Sequence, residues 1–268
     1  MTPTLIITVI GLYFLLLILV SYFTGRKDDN DAFFLGNRQS PWFVVAFGMV
    51  GASLSGVTFI SVPGWVDGSS FSYMQVVLGY LLGYFVIIKV LLPLYYRLEL
   101  TSIYTYLDQR FGFYSYKTGA FFFILSRVIG ASFRLYLVAI VLQYAVFEQY
   151  NVPFWVTVLV TIVLIWVYTF RSGIKTIIWT DTLQTAFMLA AVILTVILIK
   201  DQLIPEQGLI SYIADSPKSK IFFWEGWGTP NFFWTQFLSG AFITIVMTGL
   251  DQDMMQKNLS CRSLSDAQ

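Results

Sequence analysis

Five helix-weakening residues, Gly48, Gly51, Gly56, Pro63 and Gly64, fall in one apolar stretch together with the hydroxyls of Ser53, Ser55, Thr58 and Ser61. Glycine weakens a helix by about 1 kcal/mol and proline by about 3. In lipid, the carbonyls freed by such a break must find other partners. A broken helix facing a cavity supplies them: unwound carbonyls coordinate a cation while neighbouring hydroxyls meet a solute, as in transporters with discontinuous helices. Small-residue packing between helices is the alternative reading of the same residues.

Further along, Gly240 and Gly249 flank Thr244 and Met247, and Asp251, Gln252 and Asp253 close the same apolar run. A second interrupted helix five spans after the first is the spacing of an inverted five-helix repeat. Asp181 lies in Trp179-Thr180-Asp181-Thr182, about two turns or 9 Å into another span. An acid at that depth is a functional candidate; a helix-start carboxylate held by the macrodipole is its structural alternative. Arg127 and Arg134 share a helical face about 10 Å apart, so they are expected to face protein or water or to snorkel, as Lys89 does toward Arg97.

Other chemistries are excluded by composition. Histidine is absent and Cys261 is the single cysteine, which removes disulfides, His/Cys metal sites and nucleophile–histidine pairs. A net charge of +1 announces no nucleic-acid partner. With 57% hydrophobic and 12% charged residues, against about a quarter charged in soluble domains, the chain is built for a lipid bilayer.

The elements that position these residues are membrane spans, which need about 20 apolar residues each. Such runs lie near 4–24, 41–66, 71–96, 117–147, 153–170, 175–199 and 232–254, predicting an all-α membrane protein of about seven transmembrane helices. The first, Leu5 to Phe23, is followed rather than preceded by basic residues (Arg26, Lys27), the reverse of a cleavable signal. One set of alternate loops carries ten Lys and Arg and the other only Lys200, Lys218 and Lys220. The positive-inside rule then places the N-terminus outside and residue 268 in the cytoplasm. Ser263 and Asp266 form a helix-start signal with only two residues after it, as expected of a C-terminally truncated chain.

These features together resemble the sodium/solute symporter family, which includes sodium-coupled carriers of sugars, proline, pantothenate and sialic acid. The resemblance runs from Asp31-Ala32-Phe33-Phe34-Leu35-Gly36 through Gly51-Ala52-Ser53-Leu54-Ser55-Gly56, Pro63-Gly64, Thr101-Ser102-Ile103-Tyr104-Thr105-Tyr106-Leu107 and Trp179-Thr180-Asp181 to Asp251-Gln252 with Gln256. It implies a LeuT-like inverted-repeat transporter, with an extra N-terminal helix and loop in 1–30, a first five-helix repeat in 41–200 and the start of a second in 232–268.

The implied activity is sodium-coupled symport of a small organic solute across the plasma membrane, that of a bacterial inner membrane, with sodium as coupling ion, no other cofactor and no enzymatic step. By resemblance the backbone carbonyls of Gly51 and Leu54 bind sodium, while that site's hydroxyl ligands come from a later helix. Thr180 and Asp181 serve the sodium pathway. Ser55, Thr58, Tyr73, Val77, Thr244 and Met247 align with solute contacts. Sialic acid carriers have a glutamine where Val77 stands and an arginine where Gly130 stands; sugar carriers have a tyrosine near Met247 and an amide near Thr244. A symporter-like or heptahelical membrane sensor is the competing reading, although no retinal-type lysine lies between Thr244 and Leu250.

The charge bias yields a test. With Cys261 removed, Ser216→Cys is expected to react with an impermeant thiol reagent on intact cells and Thr118→Cys only after permeabilisation; the opposite pattern reverses the topology.

Overall fold

Every backbone amide in a hydrocarbon environment must be paired within the protein, which leaves helices as the economical element for this sequence. The computed structural model describes residues 3–24, 38–100, 102–169, 174–204 and 208–268. Arg26, Lys27, Asp31 through Gly36, Thr101 and Arg171 lie outside the described residues. In chain order the helices are α1 (Pro3–Thr24), α2 (Trp42–Ser53), α3 (Gly56–Ser69), α4 (Tyr73–Val86), α5 (Leu92–Arg97), α6 (Ile103–Phe111), α7 (Phe113–Leu142), α8 (Phe154–Thr169), α9 (Ile174–Leu203), α10 (Leu209–Asp215), α11 (Phe233–Thr244), α12 (Gln252–Leu259) and α13 (Leu264–Ala267). Wide π turns at Ile87–Leu91, Gln143–Phe147 and Ile245–Gly249 extend α4, α7 and α11. Among the described residues there is no strand, only a parallel bridge between Ser40 and Cys261.

The seven expected spans each fall on helix. Among the described residues, four helical stretches are long and apolar enough to cross a bilayer, and the pair Phe233–Gly249 and Gln252–Leu259, bent by 65°, makes a fifth if counted as one span. Span two is α2 plus α3, each too short alone. The stretch Ser61–Arg97 runs 37 residues, or about 55 Å of helix, nearly twice a hydrocarbon core of about 30 Å. It divides at Ser70, whose φ of 55° no helix accommodates. Its first part completes span two and its remainder is span three. Pro63 sits inside α3 and does not end it.

By internal contacts the chain forms two units, Met1–Asn37 with Thr101–Thr180, and Arg38–Leu100 with Asp181–Gln268. In the first, α1 packs on α8 and on the π turn that closes α7. Ser102 caps α6 by accepting the Tyr104 amide at 3.2 Å, and the Tyr104 ring packs tilted against Phe123 of α7, their centres 5.3 Å apart. The Gln143 amide donates to the Val152 carbonyl at 2.7 Å and accepts from Thr157, tying α7 to α8. Arg127 sets its guanidinium 5.3 Å from the Phe123 ring centre, so an aromatic face takes up part of its charge; Arg134 is exposed.

In the second unit α4 and α11 pack most extensively. A Cβ at Gly79 would strike the Phe237 carbonyl, one at Gly240 the Val76 carbonyl, and one at Gly83 would come within 2.6 Å of the Ala241 carbonyl. Small residues here let two backbones meet, which is how helices associate without a hydrophobic driving force. Beside this seam, Gln75 is fully buried. It donates to Gln236 at 2.8 Å and to the Asn231 carbonyl at 3.0 Å, and it accepts the Phe223 amide at 3.0 Å. This clamp holds the segment before α11 onto α4.

Contacts within this unit sort the loops by side. At one end the Phe71 amide donates to the Lys220 carbonyl at 3.1 Å and Asp67 pairs with Lys218. At the other, the Ser40 amide donates to the Ser260 carbonyl at 3.1 Å and Tyr96 donates to the Asn258 carbonyl at 2.9 Å. The segment between α3 and α4 thus meets the loop of Lys218 and Lys220, which belongs to the set poor in Lys and Arg, and the other end brings together Ser40, Tyr96 and the segment after α12.

Because the atoms opposite Gly79 and Gly240 are backbone, Gly79→Val or Gly240→Val should cost about 1–3 kcal/mol or more. We expect a lower melting temperature of the detergent-purified protein, while Gly130→Ala, which meets nothing within 4 Å, leaves it unchanged. Equal melting of all three would refute the close-packed seam.

Candidate functional site

The break in span two is two residues long. The α2 ladder ends with the Leu54 amide donating to the Val50 carbonyl at 3.0 Å, and Leu54 (φ −83°, ψ 137°) and Ser55 (φ −130°, ψ 161°) are extended. Ser55 then caps α3: its hydroxyl accepts the Thr58 amide at 3.2 Å and lies 3.0 Å from the Thr58 hydroxyl. In an unbroken helix that amide would serve the Leu54 carbonyl. The cap therefore takes the donor that the Leu54 carbonyl would have used in a continuous helix.

Gly51, one turn before the break, is buried where α2 crosses α9. A Cβ there would strike the Thr185 side chain and lie 3.1 Å from the Asp181 carbonyl. One hydroxyl bridges this crossing, Thr182 donating to the Val44 carbonyl at 3.2 Å, while Thr185 turns back within α9 to the Asp181 carbonyl at 2.7 Å. Asp181 is thus held at the α2–α9 contact.

Its carboxylate has a partner that sequence reasoning missed. Lys257 of α12 places its ammonium 2.7 Å from Asp181 Oδ2 and 3.3 Å from Asp253 Oδ2. The lysine side chain is 3% exposed, Asp181 21% and Asp253 47%. In the sequence Lys257 reads as a loop cation after the last span. Only its i,i+4 spacing from Asp253 is a local signal; the tie to Asp181 is made by folding alone. Cys261, beyond the same helix, is buried, and burial pushes its thiol up to about 11.

The second interruption directly follows Gly249. Gly240 packs in the α4–α11 seam, α11 continues through its π turn to Gly249, and the break comes at Leu250 (φ −109°, ψ 1°) and Asp251. Asp251 caps α12 by accepting the amides of Asp253 and Met254 at 3.0 and 3.2 Å.

The remaining candidates are dispersed. Tyr73 opens α4, with its hydroxyl 2.8 Å from that of Tyr80 and its ring 5.8 Å from Trp65. Thr244 is buried against Gly83. Met247 is exposed on the π turn, and Val77 is half-buried on α4. The Thr180 hydroxyl turns back to its own helix, donating to the Ile177 carbonyl at 2.9 Å. Among the described residues no cluster of His, Cys, Asp or Glu has the makings of a metal-ion cage. The break itself offers main-chain carbonyls, ligands suited to a hard monovalent cation.

Comparison with known proteins follows the same lines. The sequence pattern of the Sodium:solute symporter family matches residues 33–204. Sodium-coupled monocarboxylate transporter 1 of Mus musculus is 26% identical over 97% of this chain and 41% of its own length. The human sodium/iodide cotransporter is 26% identical over 91% of the chain and 37% of its own. The sodium/sialic acid symporter NanT of Aliivibrio fischeri is 29% identical over 66% and 34%. A solved substrate-bound, outward-open Na+-coupled sialic acid symporter superposes with a TM-score of 0.83 at 22% identity, over 97% of this chain and 54% of that one. That likeness shows a shared fold, the LeuT-like arrangement of helices. The chain spans about two fifths of the length of the curated relatives it matches. It belongs to the Sodium:solute symporter family.

Proposed function

We propose that the protein takes part in sodium-coupled symport of a small organic solute across the plasma membrane by alternating access. The observation that carries this reading is the two-residue break at Leu54–Ser55, with the Leu54 carbonyl deprived of its helical donor, in a member of a family of sodium-coupled transporters. The carbonyls of Gly51 and Leu54 contribute to a sodium site completed by later parts of the transporter. Ser55 and Thr58, at the start of α3, meet the solute, with Tyr73, Thr244 and Met247 lining its path. Asp181, with Thr180 beside it, attracts sodium on its way to the cytoplasm. This assignment draws support from the Asp181 backbone, which lies beside Gly51 at the α2–α9 contact.

The full-length protein in proteoliposomes is offered labelled monocarboxylates, vitamins and sialic acid, organic solute classes named for the relatives. Uptake of one of them driven by an inward sodium gradient is expected, and uptake indifferent to sodium would sink the proposal.

Two substitutions then separate the roles. Ser55→Ala loses a helix cap worth about 1 kcal/mol and should raise the half-saturating solute concentration several-fold, while Ser55→Asn restores the cap but not the affinity. A fall in melting temperature alone would mean that Ser55 only caps. Asp181→Asn removes a charge whose contact with a cation is worth about 1.5–3 kcal/mol, or roughly ten- to a hundred-fold in half-saturating sodium. Solute affinity at saturating sodium should hold. Loss of solute affinity with unchanged sodium dependence would make Asp181 a solute ligand.

A further inference from the structure

The partner found for Asp181 changes what sodium must do there. We propose that Lys257 is a tethered counter-cation that sodium displaces from Asp181, and that Asp253 receives the displaced ammonium; this rests on the assignment of Asp181 to the sodium pathway. With the lysine in place, the Asp181 carboxylate already has a cation at 2.7 Å. Sodium carries the same charge and competes for the same oxygens.

A lysine as buried as Lys257 cannot simply be abandoned, because an uncompensated buried charge is strongly unfavourable. The geometry supplies an alternative. Asp253 lies one turn back on the lysine's own helix, its Oδ2 already 3.3 Å from the ammonium, and it is about half exposed. Exchange therefore needs only rotations within the Lys257 side chain, and it moves the ammonium toward solvent without leaving it unpaired. Charge bookkeeping agrees: two carboxylates and one ammonium carry one net negative charge, which one monovalent cation neutralises. On the same helix, Thr182 and Thr185 donate to the carbonyls of Val44 and Asp181. The adjustable element is the lysine. Its competition weakens sodium binding at Asp181 and so favours release.

Sodium binding to the purified full-length protein tests this without a known solute, by radiolabelled sodium at equilibrium and by sodium-dependent thermal stabilisation with choline as the control cation. Lys257→Gln should lower half-saturating sodium about tenfold, the equivalent of one decade of competition removed. Lys257→Arg, which keeps the cation, should not lower it. Asp253→Asn, which takes away the lysine's refuge, should raise it several-fold. The gain of Lys257→Gln should vanish in Asp181→Asn/Lys257→Gln.

If Lys257→Gln fails to fold, Lys257→Met, neutral and of similar length, takes its place. Should both fail, Asp253→Asn at its half-exposed position still decides. Unchanged or weaker sodium binding in Lys257→Gln or its Lys257→Met substitute, or unchanged binding in Asp253→Asn, overturns the inference. Asp181→Asn with an undiminished sodium response overturns the Asp181 assignment and this inference with it. A diminished response there, with no gain in Lys257→Gln, overturns the inference alone.

Discussion

A carbonyl in hydrocarbon that loses its helical donor has only protein, water or a cation to turn to, and the organisation of the second unit follows from how that requirement is met at Leu54. The Ser55 hydroxyl takes the Thr58 amide and so starts α3 cleanly. The same bond withdraws the amide that would have closed the ladder over Leu54. A serine here does two opposed things: it stabilises the new helix and exposes the end of the old one. An alanine would do neither, and a continuous helix would have no carbonyl to offer.

The break is useful only if neighbouring elements come close enough to share its surroundings, and glycine governs that approach. At Gly51 the absence of a side chain lets α9 bring Thr185 and the Asp181 backbone against α2. At Gly79, Gly83 and Gly240 it lets α4 and α11 meet backbone to backbone. Polar side chains then act where lipid cannot compete: Gln75 and Gln236 are buried and mutually bonded. Each buried side-chain nitrogen and oxygen among the described residues has a partner. Apolar side chains are spent outward instead, as on α1 and along α7.

Much of this was legible before folding. Span length and apolar runs located the helices because lipid imposes one solution on them, and the density of glycine and hydroxyl residues marked span two as broken. The position of the break was less legible. Pro63 and Gly64 are the strongest local breakers by propensity, yet α3 runs through both, while the chain unwinds at Leu54 and Ser55, where a cap was available. Of the two glycines in the last span, Gly240 serves contact with Val76, and the break comes just after Gly249, at Leu250 and Asp251. The π turns left no sequence signal at all. Lys257 was invisible for a different reason, since its partner Asp181 lies on another helix and only tertiary packing unites them.

That pairing bears on why an ion pair is kept in so costly a place. Bringing two charges out of water costs about as much as their attraction returns, and an apolar pair of the same volume is often as stable. Stability therefore does not account for Asp181 and Lys257. A fixed structural tie would also need only one carboxylate, with the lysine's remaining donors turned to neutral acceptors. The structure has instead two carboxylates around one ammonium, a more buried one on a neighbouring helix and a more exposed one on the lysine's own. Such an arrangement has two paired states differing in which helix the lysine holds: bound to Asp181 it joins α12 to α9, and bound to Asp253 alone it leaves α12 satisfied by itself. A cation arriving at Asp181 selects the second state, and the tie between the two helices loosens as a direct result of occupancy.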